Sequence, residues 1–380
     1  MYGRMQYLDR IQGGMIGGAV GDALGYPVEF LSWKEIQKRY GNGGIRHYTL
    51  DYETGTAVLS DDTQMSLFTA NGILIGETQY RQKGTQGKIA HCVYLAYQEW
   101  LKTQRQSINP AEAHRCWIFE VPELHNSRAP GTTCLSALRS GKMGTIDAPL
   151  NSSKGCGGVM RVAPLALHFR PETPEEQRLL DLDGAEIAAI THGSPLGYLP
   201  AAVVTHIISL GVYGGSGQSL REAVDEAWHT VKEIFCARVP ERDISAMEAL
   251  LTRAVTLAAL PGNDEEHISA IGAGWTGDEA LAIAIYCCLR YPDDFSRAVI
   301  AAVNHSGDSD STGAVTGNIL GSWLGCRAID PEWTRLLELR DVLLEMAEDL
   351  CFGCRMYEGD HSIDEAWVRK YCQGHMRCSV

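Results

Sequence analysis

The sequence lacks the excess of basic residues that proteins binding nucleic acid or anionic membranes require. It has 33 lysine and arginine residues against 47 aspartate and glutamate residues, which gives a formal net charge of −14 over 380 residues. A chain with this charge repels polyanions unless a bound cation or a cluster of backbone amides offsets the field locally. We therefore predict that neither nucleic acid nor a membrane is a partner.

Long uninterrupted hydrophobic runs are also scarce. The one candidate, residues 194–218, contains no Asp, Glu, Lys or Arg, but it includes Pro195, Pro200, His206 and several glycines. Such a segment is more typical of a buried core helix than of a membrane span. Charged residues near the start argue against a signal-peptide core, and twelve cysteines in a chain of this length do not indicate a disulfide scaffold. We expect a cytoplasmic protein with reduced thiols.

The alternation of apolar and polar residues that marks β-strands is limited to short pieces such as residues 47–50. Apolar residues recur instead at steps of three and four, and neither a linker nor an internal repeat divides the chain. We predict an all-α fold with a single compact domain over residues 1–350 and a cysteine-containing tail, 351–380, packed on it. Helices are predicted near residues 8–23, 65–75, 86–103, 132–140, 178–190, 198–212, 219–236, 244–259, 276–290, 294–303, 312–326 and 332–350.

Two acidic clusters lie far apart in the sequence, each directly before a predicted amphipathic helix. They are Ser60-Asp61-Asp62-Thr63-Gln64 and Asp308-Ser309-Asp310-Ser311-Thr312. Helix capping explains one or two such residues, but adjacent carboxylates repel one another unless a cation offsets their charge. Four carboxylates would neutralise two divalent cations, and carboxylate and hydroxyl oxygens are the ligands that Mg²⁺ prefers. The two clusters together predict a dinuclear metal site.

Glycine is concentrated at a few places. The patch Gly155–Gly158 precedes an apolar segment, and Gly131 precedes a predicted helix, so both could turn backbone amides toward an anion or could form tight turns. Six further glycines lie between positions 13 and 25 within the first predicted helix. Because glycine disfavours helices, these six indicate close approach of the backbone to a neighbouring helix or a ligand.

Taken in order, these motifs resemble those of the ADP-ribosylglycohydrolase family, of the dinitrogenase reductase-activating glycohydrolase and ADP-ribosylarginine hydrolase type. The resemblance covers about residues 11–326, and six motifs carry it in the family's order. They are Gly18-Ala19-Val20-Gly21-Asp22-Ala23-Leu24-Gly25 with Glu29, Ser60-Asp61-Asp62-Thr63-Gln64-Met65, Arg128-Ala129-Pro130-Gly131, Gly155-Cys156-Gly157-Gly158-Val159-Met160-Arg161, Thr191-His192 and Gly307-Asp308-Ser309-Asp310-Ser311.

The resemblance implies a central cleft that holds two Mg²⁺ ions, with Mn²⁺ as an alternative. The family often has threonine at Ser60 and Ser311, but serine keeps the hydroxyl oxygen. The implied catalytic residues are Glu29, on a mobile loop over the metals, Asp62 and Asp310. The implied metal ligands are Ser60, Asp61, Asp62, Asp308, Asp310 and Ser311. The implied substrate-binding residues are Gly131, Thr132, Gly155, Cys156, Gly157, Gly158, Met160 and His192.

The implied activity is Mg²⁺-dependent removal of ADP-ribose from an arginine side chain of a modified protein, which would be the partner. In this mechanism Asp62 or Asp310 removes a proton from water, and Glu29 or a metal-bound group assists the leaving group. Other ADP-ribosyl linkages, to serine or in O-acetyl-ADP-ribose, remain alternatives. A structural relative without turnover, or an immunity-type member that contacts an ADP-ribosyltransferase directly, is the alternative outside catalysis.

The second acidic cluster also fits the motif of a different enzyme class. The pattern Asp308-x-Asp310-x-Thr312 fits phosphatases of the haloacid dehalogenase type, in which the first aspartate is the nucleophile. That motif normally ends a hydrophobic parallel strand near the chain start, whereas here it lies late in a chain with helical periodicity. The context therefore disfavours this alternative.

The tail contains residues that could bind zinc, but their spacing is loose and the family pattern does not require them. We favour free thiols over a structural zinc site. The residues concerned are Cys351, Cys354, Cys372 and Cys378, with His361 and His375.

Overall fold

The computed structural model describes residues 4–84, 87–105, 113–215, 217–354 and 364–372, and their fold is all-α, as predicted. The only β pairing among these residues consists of two isolated bridges, Ala57 with Leu337 and Gly155 with Thr276. Residues 47–50, the short strand-like piece of the sequence, run as a loop. There the Tyr48 hydroxyl donates to the carbonyl of Trp333 over 3.1 Å.

The described residues form seventeen α-helices. They are α1 (Leu8–Gly25), α2 (Trp33–Tyr40), α3 (Asp61–Lys83), α4 (Ile89–Thr103), α5 (Thr132–Arg139), α6 (Ala163–His168), α7 (Pro174–Ala189), α8 (Pro195–Tyr213), α9 (Leu220–Phe235), α10 (Glu241–Ala259), α11 (Asp264–Ile271), α12 (Gly277–Arg290), α13 (Phe295–Val303), α14 (Ser309–Leu324), α15 (Pro331–Arg335), α16 (Arg340–Phe352) and α17 (Glu365–Tyr371).

The helix predicted at 332–350 is two helices, α15 and α16. Leu339 adopts a left-handed conformation with φ of 57°, which ends any continuous helix at that point. The predictions missed α2, α6, α11 and α17, which have eight, six, eight and seven residues. Helices this short present too few turns for apolar periodicity to be detected.

The glycines of α1 bring its backbone against that of α14. A Cβ atom added to Gly21 would overlap the carbonyl oxygen of Gly313, and the same relation recurs every four residues along both helices. The two helices run antiparallel, and no pair in the structure packs more extensively. Close helix packing therefore explains this glycine stripe. The facing pairs are Gly13 with Gly321, Gly17 with Gly317, Gly21 with Gly313 and Gly25 with Ser309.

Helix α8 lies in the centre of the bundle and contacts α6, α7, α9, α12 and α14. It is the one helix in the described ranges that is long and apolar enough to cross a membrane, but 89% of its apolar stretch is buried inside the protein. This burial fits the core helix predicted from its prolines and glycines.

The described residues after position 350 pack on α3 and α16. The amide of Cys354 donates to Glu77 over 2.9 Å, and the Trp367 indole donates to the Thr78 hydroxyl over 3.0 Å. The Tyr371 hydroxyl donates to Asp349 over 2.7 Å. Three of the tail residues considered for zinc, His361, His375 and Cys378, lie outside the described residues, so the preference for free thiols there stays a prediction.

Candidate active site

The two acidic clusters form the first turns of α3 and α14, rather than lying before these helices as predicted. Ser60 caps α3, and its hydroxyl accepts from the amide of Asp62 over 3.2 Å. Asp308 caps α14, and its carboxylate accepts from the amide of Ser311 over 3.3 Å. Capping therefore does occur, but it occupies only one residue of each cluster. The carboxylates of Asp61, Asp62 and Asp310 need another explanation.

The structure brings the two clusters together in the protein interior. The side chains of Asp61, Asp62, Asp308 and Asp310 are all buried. Burial raises the pKa of all four carboxyl groups above the ordinary range, and the charge of Asp310 raises the pKa of the other three further. Clusters that are about 250 positions apart in the chain thus share one site.

Glu29 reaches this site from the segment that follows α1. One of its carboxyl oxygens lies in a group with oxygens of Asp308 and Asp310 in which all atoms are within 4.8 Å of one another. Burial, and then the charges of Asp310, Asp308 and Asp61, raise the pKa of Glu29 to about 10. A carboxyl group with this pKa holds its proton at neutral pH.

The donor set fits a divalent cation that prefers oxygen. Asp62 Oδ1 is buried and has no hydrogen-bond partner, which leaves an acceptor available to a cation at the acidic centre. The Cys156 thiol donates to Asp308 over 2.6 Å, and burial together with the charge of Asp308 raises its pKa well above the usual value. The remaining donors of the two clusters are carboxylate and hydroxyl oxygens, the ligands that hard divalent cations take.

Asp22, which the predictions quoted in a motif without giving it a role, supports the acidic centre from α1. Its buried carboxylate accepts from the amides of Ser60 and Thr63 over 3.0 and 3.1 Å, and from the Thr63 hydroxyl. Burial, and then the charge of Asp310, raise the pKa of Asp22 to about 7. Asp22 thus fixes the first turn of α3, and its place near the end of the glycine-rich helix was the signal available in the sequence.

Replacing Asp22 with asparagine should weaken both the fold and the metal site. The amide presents N–H groups where the carboxylate accepts hydrogen bonds, so we expect a loss of about 1–3 kcal/mol in the free energy of unfolding. Loss of a residue that orients metal ligands typically weakens metal affinity by about 10- to 100-fold. Urea denaturation and Mg²⁺ titration measure the two effects. Asp183→Asn, on α7 away from the site, is the control, and wild-type Mg²⁺ affinity in Asp22→Asn would contradict the role.

The predicted substrate-binding glycines lie at the edge of the acidic centre, although several of their amides already have partners. The amide of Gly131 donates to Asp61 over 3.1 Å, and Thr132 begins α5 directly after it. The amide of Gly155 donates to the Ser153 hydroxyl over 3.3 Å, and that of Cys156 donates to the Trp275 carbonyl over 3.2 Å. The Gly131 turn is thus tied to a predicted metal ligand, and the Gly155 segment is tied to the loop that carries Trp275.

The glycine segment continues into residues that contact the second acidic cluster. Gly157 and Gly158 complete a short 3₁₀ helix, Cys156–Gly158, whose thiol reaches Asp308. The Ser311 hydroxyl donates to the sulfur of Met160 over 3.8 Å. The structure therefore places the predicted residues of this segment beside the predicted metal ligands.

His192 lies against the same glycine segment. A Cβ atom on Gly155 would be 3.2 Å from His192 Nε2, so a side chain there would crowd the imidazole. The buried Arg161 donates to the Thr191 hydroxyl over 2.6 Å, and that hydroxyl lies 2.8 Å from His192 Nδ1 at hydrogen-bonding distance. Burial, and then the charge of Arg161, lower the pKa of His192 to about 3. The imidazole is thus neutral, and its Nε2 lies beside the glycine segment.

The structural context of Asp308 does not fit the phosphatase alternative. Asp308 caps a helix, and the described ranges contain no β-sheet from which a nucleophilic aspartate could project. The pattern Asp308-x-Asp310-x-Thr312 therefore belongs to the start of α14, where Thr312 bonds back to the carbonyl of Asp308 over 2.8 Å.

Comparison with known proteins gives concordant results. The sequence model of the family described as ADP-ribosylglycohydrolase matches residues 4–359. The ADP-ribosyl-[dinitrogen reductase] glycohydrolase of Rhodospirillum rubrum is 25% identical, with 87% of this chain and 91% of that protein covered. The ADP-ribosylarginine hydrolase Tri1 of Pseudomonas putida (strain GB-1) is 22% identical, with coverage of 91% and 78%. A solved structure titled ADP-ribosylglycohydrolase-related protein complex shares the fold with a TM-score of 0.59 at 23% identity, covering 92% of this chain and 99% of that one.

Proposed function

Because the chain belongs to the ADP-ribosylglycohydrolase family of glycosyl-bond hydrolases, we propose that it removes ADP-ribose from a modified arginine side chain in a Mg²⁺-dependent reaction. The observation that carries the proposal is the convergence of two distant acidic clusters with Glu29 in one buried centre. The names of the relatives from R. rubrum and P. putida support a modified protein as substrate, and the second supports arginine as the acceptor.

The proposed ligands of the cations are the oxygens of the acidic centre, which otherwise repel one another. When bound, the cations would neutralise this charge and polarise sugar hydroxyls and water. The partnerless oxygen of Asp62 is an acceptor that hydrogen bonding leaves available for this purpose. The further proposed ligands are Ser60, Asp61, Asp308, Asp310 and Ser311.

In the proposed reaction the carboxylates divide the proton transfers between them. Asp62 or Asp310, each at the start of a helix, accepts the proton of the attacking water. Glu29, whose carboxyl lies beside those of Asp308 and Asp310, donates a proton to the departing guanidine nitrogen. The proton balance is therefore closed within the site, because the base gains one proton and the acid loses one.

The remaining residues would position the ADP-ribosyl group. His192 offers an imidazole that stays neutral over the working pH range, since its pKa is about 3, and Thr191 and Arg161 hold the ring in place. The adjoining Gly155–Gly158 segment has no side chains except that of Cys156, so a diphosphate can approach its backbone closely. Binding of the diphosphate here orients the sugar toward the acidic centre.

Metal removal and acceptor choice test this proposal together. We expect the purified protein to release ADP-ribose from an arginine-linked peptide in Mg²⁺. Chelation with EDTA should lower the rate by about 100-fold or more, because cations of this kind contribute several kcal/mol to catalysis. Chromatographic quantification of free ADP-ribose measures the rate, and readdition of Mg²⁺ to the chelated enzyme is the control.

The outcomes separate the alternatives. A rate that survives EDTA contradicts the metal-dependent mechanism. Faster release from a matched serine-linked peptide contradicts arginine as the acceptor, and binding of both peptides without any release favours a member that acts by contact alone.

A further inference from the structure

Two large aromatic side chains meet on the protein surface beside the acidic centre. Phe30 is 67% exposed and Trp275 is 40% exposed, yet their rings stack with centroids 5.4 Å apart and an angle of 20° between planes. Neither residue belongs to the buried core. Soluble proteins rarely keep paired aromatic rings at the surface unless the rings contact something else, so this pair is a candidate binding surface.

The backbone at Phe30 holds its ring in this position against a local preference. Phe30 has a φ of 65°, a left-handed conformation that a bulky side chain rarely adopts. The backbone on either side is fixed by two hydrogen bonds of 3.0 Å. The amide of Glu29 donates to the carbonyl of Gly25, and the amide of Leu31 donates to the carbonyl of Val28. Backbone strain of this kind concentrates at functional sites.

Trp275 is carried by the segment between α11 and α12, which is hydrogen-bonded to the glycine segment and to the second acidic cluster. Its carbonyl accepts from the amide of Cys156 over 3.2 Å, and the carbonyl of nearby Ala273 accepts from the amide of Asp308 over 2.9 Å. The Phe30–Trp275 pair therefore connects the Glu29 segment with the glycine segment across the acidic centre.

The position of the pair indicates which part of a substrate it contacts. Phe30 is adjacent in the chain to Glu29, whose carboxyl lies with Asp308 and Asp310 where the glycosidic bond would be broken. The acceptor side chain leaves from this end of the substrate, whereas the adenine lies beyond the second ribose and the diphosphate. An aromatic surface here therefore faces the acceptor.

We propose that Phe30 and Trp275 form an acceptor site for the guanidinium group of the modified arginine, an inference that rests on the proposed function. A guanidinium is planar and cationic, so it stacks on aromatic faces, and the net charge of −14 and the acidic centre attract it further. A serine acceptor has neither the planar surface nor the charge. The pair thus favours arginine-linked over serine-linked substrates.

Kinetics with ADP-ribosylated agmatine, a small guanidine acceptor, test the site. We expect Phe30→Ala and Trp275→Ala each to raise the KM for ADP-ribosylated agmatine about five- to tenfold, which corresponds to the loss of one cation–π contact. The inhibition constant of ADP-ribose should stay within about twofold of wild type, and Trp275→Phe should recover most of the affinity. Tyr52→Ala removes an unstacked aromatic that is 99% exposed and serves as the matched control. Thermal unfolding verifies that each variant is folded.

Each result is decisive. Variants with the wild-type KM contradict the acceptor site but leave the proposed function standing. An inhibition constant for ADP-ribose that rises in parallel with KM shows that the rings bind the ADP-ribosyl group instead. A wild-type enzyme that does not cleave ADP-ribosylated agmatine contradicts the proposed function and the acceptor site together.

Discussion

Replacing Asp310 with asparagine is expected to lower kcat for ADP-ribose release by about a thousandfold, within the range that general acid–base catalysis contributes. Asp310 is buried in the first turn of α14, and its negative charge raises the pKa of Glu29, Asp61, Asp62 and Asp308. The substitution removes a proposed metal ligand or base, and it also removes the charge of Asp310 that raises the pKa of Glu29, so the proposed acid and base both change.

The same substitution should not harm the fold. Asparagine has nearly the same shape and removes one of several repelling charges, so the protein in EDTA should unfold at an equal or higher temperature than wild type. Loss of activity together with unchanged or improved stability is the signature of a functional carboxylate.

Single-turnover and steady-state assays in Mg²⁺ measure the loss of activity, and thermal unfolding in EDTA measures stability. The control is Asp294→Asn, because Asp294 caps α13 outside the site, accepts from the amide of Arg297 over 3.0 Å, and asparagine caps equally well. A kcat for Asp310→Asn within tenfold of wild type would rule out the proposed catalytic role.

Replacing Gly21 with alanine should lower the free energy of unfolding by about 3 kcal/mol or more, at the upper end for overpacked cores. The added methyl would occupy the position of the Gly313 carbonyl, and backbone cannot move aside as a flexible side chain can. Alanine is the better helix former by about 1 kcal/mol, so the steric cost must exceed this gain for the variant to be destabilised.

The matched control is Gly76→Ala on α3. Its nearest neighbour would be the Cys92 sulfur at 3.1 Å, the end of a side chain that can rotate. We expect Gly76→Ala to change the free energy of unfolding by no more than about 1 kcal/mol, in either direction. Urea denaturation compares the two variants, and equal stability for both would show that the α1–α14 contact is looser than described.

Local pattern predicted most of the secondary structure and both acidic clusters, because periodicity and runs of like charge are visible within a few turns of helix. Glu29, in contrast, was predicted only through its family motif, because an isolated carboxylate in a loop has no local signature. Its partners Asp308 and Asp310 are about 280 positions away, and only tertiary packing brings them within 4.8 Å of it.

Other features depended on long-range contacts that no local pattern contains. The stacking of Phe30 on Trp275 joins two loops, and the sequence around either residue resembles an ordinary turn. The break at Leu339 has a similar origin, because a leucine in a helical pattern gives no sign of a left-handed backbone. In the structure, the adjoining residues Leu337 and Glu338 pair with Ala57, which competes with helix formation.

The α1–α14 contact determines which parts of the protein can respond to a substrate. Asp22 lies on one of these helices and Asp308 and Asp310 lie at the start of the other, so the repeated backbone contacts fix their spacing. If either helix slid by one residue, side chains would replace the glycines at the contact and would clash with the facing backbone. We therefore expect the two helices to keep their registration when a ligand binds, so that the spacing of these carboxylates stays the same.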